Sequence, residues 1–200
     1  MADKSLGWKK DVDEQLTKDL ELAAHAAYDN GCELSIDARL LFESHRYSRA
    51  TALAILAEEE FSKAFTLKLS ADNKRWDSTL YDSLRSHAIK QGLAEAVVNF
   101  IEAEKAKSRW IGGFTSAYPD EKKAKEVVAA AKKRLRKPVK DHLKQDALYV
   151  AISKEGKIKS IPKNITREEA ENSLFQTELF KINVDILFGD ESALERFFTL

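Results

Sequence analysis

A carboxylate set in the middle of an apolar helical stripe narrows what this chain can fold into. The stretch Tyr47 to Ser70 reads YSRATALAILAEEEFSKAFTLKLS. On a helix each residue advances about 100° around the axis. Ala50, Leu53, Leu56, Ala57, Phe61, Ala64 and Leu67 then share one broad arc, and Glu60 falls near its middle while Glu59 points elsewhere. A buried carboxylate is costly unless it is paired or protonated, and Lys63, one turn on, is within reach of Glu60. Ala50, Ala52, Ala54 and Ala57 let another helix approach closely. The pattern predicts a central, crowded helix carrying a charge that needs a partner.

The rest of the chain reads mainly as helix. Of 200 residues only seven are Gly and three are Pro, and Ala, Leu, Glu and Lys abound, a helix-forming composition. The length suits a single domain over 1–200: a helical bundle over about 11–145, then a β-hairpin and a C-terminal helix over about 146–200. Residues 1–10 read as a loose lead-in with Trp8 as an anchor. Leu20, Ala24, Ala27, Gly31, Leu34, Ala38 and Leu41 recur at alternating steps of four and three. Asn30-Gly31 would ordinarily signal a turn, yet the register passes through it unbroken. One helix over 12–44 is expected, with Gly31 against a close neighbour; the alternative is two helices joined there. Ser48 is the expected N-cap of the central helix. A third helix is expected from Thr79 to about Arg109, with Leu80, Leu84, His87, Ala94, Val98 and Ile101 on one face. Trp110 to Pro119 reads as a loop, and a fourth helix over 120–145 should kink near Lys137, ahead of Pro138. A small hairpin is expected over 147–162, with a turn at Gly156. Thr166-Arg167-Glu168-Glu169 is a capping-box pattern that opens a last helix to about Phe188, closed at Gly189.

Charge and cysteine usage limit the function classes. Lys plus Arg and Asp plus Glu are both 33, so the formal net charge is zero, and any nucleic-acid contact needs a local patch rather than a global field. The single Cys32 leaves no internal disulfide and no cysteine metal cluster. No apolar run approaches the roughly 18 residues of a membrane span, and the N-terminus has no signal-peptide pattern. The expectation is a cytoplasmic protein with no membrane contact and no cofactor. No metal site is expected: there is no His-Glu-x-x-His pattern, and Gly112-Gly113 lacks the context of a phosphate loop.

The strongest chemical constellation is Glu60, Lys63, His87 and Lys90. Polar residues centred on apolar stripes of two neighbouring helices are explained if they face each other. Histidine serves as acid or base near neutrality, lysines stabilise developing phosphate charge, and Glu60 would orient Lys63 or His87. Such a set suits metal-free phosphodiester cleavage by a ribose 2′-hydroxyl. The same residues also suit a buried ion-pair network that fixes helix register. Arginine and histidine with five residues between them occur twice, Arg39 with His45 and Arg136 with His142, a second candidate set of low specificity. The run Lys132, Lys133, Arg134, Arg136, Lys140 and Lys144 is either an RNA-backbone contact or a solvated helix face. Trp110, Phe114 and Tyr118 either stack on bases or anchor their loop.

Residues 37–67, DARLLFESHRYSRATALAILAEEEFSKAFTL, resemble the AbiV family of bacterial abortive-infection proteins. The family has an aspartate-alanine helix end, a short turn, and an apolar helix closing on Glu-Glu-Leu-Gly-Lys-Ala; here that close is Glu59-Glu60-Phe61-Ser62-Lys63-Ala64. A following His-x-x-Lys pair matches His87 and Lys90. A Leu-Tyr-Val segment with a Gly turn and a Pro matches Leu148, Tyr149, Val150, Gly156 and Pro162, with Ala151 where the family usually has aspartate. The resemblance implies a HEPN-like helical bundle, a homodimer, and an antiphage effector that arrests growth or translation. It further implies a metal-independent ribonuclease whose site forms across the dimer, with RNA as substrate and a phage-encoded protein as possible trigger. The alternative is a non-enzymatic module that blocks translation by binding ribosomal components or a phage protein. A metabolic enzyme with a small-molecule pocket has no supporting motif.

Overall fold

The computed structural model describes residues 7–94, 139–190, 192, 193 and 196. The described fold is mainly α, with two small antiparallel sheets. Strand β1 (Lys9–Lys10) leads into helix α1 (Glu14–Glu43), and α2 (Tyr47–Asp72) returns beside it. Then come β2 (Trp76–Asp77), α3 (Ser78–Arg85) and a helical segment over 87–94, here α4. The later part holds α5 (Val139–Leu148), the hairpin β3 (Ala151–Ile152) and β4 (Ile158–Ser160), a 3₁₀ turn (Pro162–Asn164) and α6 (Arg167–Leu187).

Helix α1 runs unbroken through Asn30-Gly31, and Gly31 lies against Phe61 of α2. A Cβ at Gly31 would stand 2.7 Å from Cε1 of Phe61, so only glycine leaves room for that ring. Asp13 opens α1 by accepting from the Leu16 N–H at 2.7 Å, one of the orphan donors of a first turn. Helices α1, α2 and α6 each close on a residue of positive φ: His45 at 57°, Lys74 at 47° and Gly189 at 88°. After α1, Arg46 N–H donates to Leu41 O at 2.8 Å and His45 N–H to Phe42 O at 2.9 Å. That is the paired bonding of a Schellman close, built on histidine where glycine is the usual choice.

Helix α2 is the centre of the bundle, packed by α1, α6 and α5. Ala27, Ala57, Phe61, Ala64, Ala94, Leu179, Phe180 and Val184 form one core cluster, and Leu20, Ala24, Leu67 and Ala71 a second. Thr177 ties α6 to α2 by donating to the Ala54 carbonyl at 3.0 Å. The expected capping box at Thr166 and Glu169 is formed in both directions.

Four expectations are corrected. Ser48 does not cap α2: Arg46 stands at the N-cap, and the Ser48 hydroxyl instead donates to the Pro162 carbonyl, fastening the hairpin's base to the start of α2. The third helix does not run on from Thr79. It ends at Arg85, Ser86 is extended (ψ 113°), and the chain re-enters helix at His87. Ser86 serves both sides of the break: its N–H closes α3 on Asp82 O at 3.2 Å, and its carbonyl accepts from Lys90 N–H at 3.1 Å. The described part of the lead-in is not loose: β1 pairs with β2 (Lys9 with Asp77, Lys10 with Trp76). Finally, Glu59 does not point away from the interior: it is 2% exposed, as is Glu58, because α2 is enclosed on nearly every side. The fourth helix is described over Val139–Leu148. Its expected kink, the loop with Trp110, Phe114 and Tyr118, and Gly112-Gly113 lie outside the described residues.

Candidate functional site

The site is built on Glu59, at the middle of α2. Its carboxylate gathers groups from α4 and α5. Oε2 accepts from His87 Nδ1 in a short hydrogen bond and lies 3.3 Å from Lys90 Nζ. Oε1 accepts from Gln91 Nε2 at 2.8 Å and from Lys144 Nζ at 2.7 Å. The Ser86 break makes this possible: a new helix beginning at His87 turns the ring, Lys90 and Gln91 onto one face, toward α2. Ser62 holds that face in place by donating to the Lys90 carbonyl at 2.8 Å.

Burial divides the members. The Lys90 and Lys144 side chains are 7% and 6% exposed, whereas His87 is 57% exposed. Burial alone would raise the Glu59 carboxyl. The hydrogen bonds from Lys144, His87 and Gln91 more than offset it and hold the group below the usual glutamate range. Glu59 is therefore a carboxylate at neutral pH. It faces two buried ammoniums, with Asp141 answering Lys144 at 3.3 Å from a half-buried position.

The same geometry settles the tautomer of His87. Lys144 Nζ lies 3.4 Å from Nδ1, but an ammonium only donates, and Nδ1 cannot donate to Glu59 and accept from Lys144 together. The shorter contact to the carboxylate decides: Nδ1 carries a proton, and in the neutral ring the lone pair is then on Nε2. A buried carboxylate orienting one ring nitrogen so that the other serves as base is the arrangement of catalytic histidines.

A model of the HEPN_AbiV family, described as AbiV, matches residues 19–179. The chain belongs to the AbiV family. That family is one of HEPN-like abortive-infection proteins. No curated protein and no solved structure matches the chain.

In this AbiV-family chain the residues singled out from sequence do not all meet. His87 and Lys90 do meet, but around Glu59 rather than Glu60. Glu60 pairs with Lys63 on the same helix, one turn apart, at a more exposed position. Of the basic run, Lys140 and Lys144 turn inward. Lys140 Nζ reaches both oxygens of Glu58, at 2.8 and 2.7 Å, and Lys144 enters the Glu59 cluster. Lys132, Lys133, Arg134 and Arg136 lie outside the described residues. Arg39 turns to Glu178 of α6 at 4.0 Å, while His45, in the α1–α2 turn, has Nδ1 2.9 Å from the Tyr47 hydroxyl. His142 is exposed on α5.

Glu59, Gln91 and the role of Lys144 were not foreseen. A signal was present: Glu58 and Glu59 follow each other on a helix otherwise rich in Ala and Leu, and Lys140 and Lys144 sit one turn apart on a helix of their own. Among the described residues no group of three or more His, Cys, Asp and Glu is placed to hold a metal ion. No described helix is long and apolar enough to cross a membrane.

Proposed function

We propose that this chain is an abortive-infection effector that cleaves RNA, with His87 as its catalytic residue. The observation that carries the reading is an exposed imidazole whose Nδ1–H is held by a buried carboxylate beside two buried lysines. In the reaction, Nε2 of His87 takes the proton of a ribose 2′-hydroxyl. The freed oxygen attacks the adjacent phosphorus, the bond from phosphorus to the 5′ oxygen breaks, and that oxygen leaves with a proton from water. The products are a 2′,3′-cyclic phosphate and a 5′-hydroxyl. Glu59 is a positioning residue: it fixes the ring's tautomer and stabilises the imidazolium that forms. Lys90 and Lys144 supply positive potential to the pentacovalent phosphate from a poorly screened environment. The reaction runs on side chains alone. Lys63, already neutralised by Glu60, has no part in it.

His87 is open enough for a second copy to approach, and the working form under this reading is a homodimer that places two such sets near one substrate. A phage-encoded protein would act as trigger.

The test is cleavage of total bacterial RNA in EDTA, by wild type beside His87→Ala and Glu59→Gln, with and without extract of phage-infected cells. Defined fragments ending in cyclic phosphate from wild type alone are expected. Equal cleavage by His87→Ala removes the assignment of the base, and no cleavage with or without the extract removes the enzyme.

One observation favours a second reading, a non-enzymatic module. Tyr149, Val150, Ile152 and Ile158 of the hairpin are 58–64% exposed, a cluster of apolar surface suited to a protein partner. Under that reading the Glu59 cluster only clamps α4 and α5 onto α2, and growth arrest follows the hairpin rather than His87.

A further inference from the structure

The N-terminal strand and the α2–α3 connection build a second surface, distinct from the Glu59 cluster. Trp8, Trp76 and Tyr81 form a closed triangle of rings, with centroids 6.3, 6.1 and 6.3 Å apart. Long-range backbone pairing holds it: β1 pairs with β2, and the Ser78 N–H donates to the Trp8 carbonyl at 2.9 Å. Gly7 lies so close that a Cβ there would stand 2.7 Å from Ser78 Oγ.

The three rings are unequal. Trp76 is half-buried and packs on the cluster of Leu20, Ala24, Leu67 and Ala71. That ring alone is enough to anchor the segment. Trp8 and Tyr81 remain 44% and 42% exposed. The rings are tilted by 54–84° to one another rather than stacked, so no two lie face on face.

Cations flank the ring residues along the chain. Lys9, Lys10, Lys74 and Arg85 are exposed, and among the described residues none of them is in an ion pair. Arg85 lies over the Tyr81 ring at 5.5 Å, which leaves its guanidinium charge unneutralised. Arg75 adds a fifth cation, paired with Asp77. Exposed aromatic faces among unpaired cations are the two parts of a single-strand binding surface: bases stack on the rings and phosphates meet the charges. An acidic peptide would use the cations but leave the ring faces idle.

We infer that the Trp8–Trp76–Tyr81 triangle and its cations are a stacking platform for single-stranded RNA. It lies next to His87 along the chain. Tyr81 precedes His87 by six residues, a reach of at most about 20 Å, so a strand of a few nucleotides spans platform and site. The delivery of that strand to His87 rests on the ribonuclease reading; the binding itself does not.

The experiment is fluorescence anisotropy of the full chain with a short, labelled 2′-O-methyl oligonucleotide, which has no 2′-hydroxyl to attack with. Wild type binds it, and Trp8→Ala and Tyr81→Ala each weaken binding by about 5- to 100-fold. Trp8→Phe retains most of the affinity, and thermal melts of all variants exclude unfolding as the cause. Lys74→Ala and Arg85→Ala each lower the slope of log affinity against log salt by about 0.7. The platform is overturned if wild type fails to bind at low salt, if Trp8→Ala binds equally well, or if polyglutamate binds with the same dependence on the two rings. Cleavable RNA separates the two readings. Ring-dependent binding with no cleavage keeps the platform and sinks the ribonuclease; cleavage by Trp8→Ala at the wild-type KM does the reverse.

Discussion

Glu59 and Asp185 are both almost wholly buried and both hydrogen-bonded several times over, yet their surroundings serve different ends. Asp185, near the end of α6, accepts from the Tyr28 hydroxyl at 2.6 Å, Lys181 at 2.8 Å and Arg196 at 2.7 Å. Burial first, and then the bond to Asp185, pushes the Tyr28 phenol far above its ordinary value, so that it stays a donor at any working pH. Arg196 also reaches Asp190 at 3.0 Å, so that among the described residues Asp185 and Asp190 face Lys181 and Arg196. That cluster fastens α1 to α6 and to the segment that follows. Around Glu59, among the described residues, the buried charge is instead one carboxylate against two ammoniums, and of its two other partners, Gln91 and His87, the imidazole is exposed. The contrast separates a polar clamp from a site: both are well satisfied, but only one presents a group able to exchange a proton with something outside.

The largest expected effect is on stability. Glu59→Ala strands Lys90 and Lys144 in the interior and should cost about 3–5 kcal/mol. Asp185→Ala should cost less, about 1–3 kcal/mol, because Lys181 and Arg196 are more exposed and Arg196 keeps Asp190. Urea denaturation checks both, and equal losses would break the distinction. Next comes activity. His87→Ala should lower RNA cleavage by about 10²- to 10⁴-fold and shift stability by under about 1 kcal/mol, since Glu59 keeps Lys90, Gln91 and Lys144. Tyr28→Phe should show the opposite pattern, a loss of about 1–3 kcal/mol with unchanged cleavage.

The pH dependence gives a smaller effect with a definite sign. The folded state holds the Glu59 carboxyl below its ordinary value, so it binds that proton less readily than the unfolded chain does. The stabilisation is full above the unfolded value of about 4.3 and is lost as pH falls through the lower folded value. The stability gap between wild type and Glu59→Gln should therefore be widest near neutrality and shrink under acid. A gap independent of pH would contradict the depressed carboxyl. The smallest effect belongs to Lys63→Ala: the Glu60–Lys63 pair is partly exposed, and its loss should change stability by under about 1 kcal/mol and leave cleavage intact.

Much of the fold could be read from the sequence because it rests on local repetition. The heptad through Gly31, the capping box at Thr166 and the Gly189 close all depend on neighbours within two turns. The misreadings have a common origin. An apolar arc identifies the buried face of a helix only when the helix has an outside. Helix α2 has almost none, so the angle that placed Glu60 inside and Glu59 outside lost its meaning. The Ser86 break was hidden for another reason: a serine amid helical spacing looks like a surface position, and its double capping shows only once both helices exist. Lys140 and Lys144 looked like an exposed basic face because their partners, Glu58 and Glu59, are about eighty residues away in the chain (82 and 85). A single sequence carries no sign of that pairing.

The Phe61 ring lying against Gly31 makes the α1–α2 pair a keyed joint. A residue with a side chain cannot take the place of Gly31 without meeting the ring, so α1 cannot slide by a turn along α2 without forcing Phe61 out of the core. The two long helices therefore share one longitudinal setting, and Phe61 lies only two residues from Glu59. Any motion that opens or closes the site must then come from the α4 and α5 side, where hydrogen bonds and ion pairs hold the parts, and those can be exchanged for water or for a ligand.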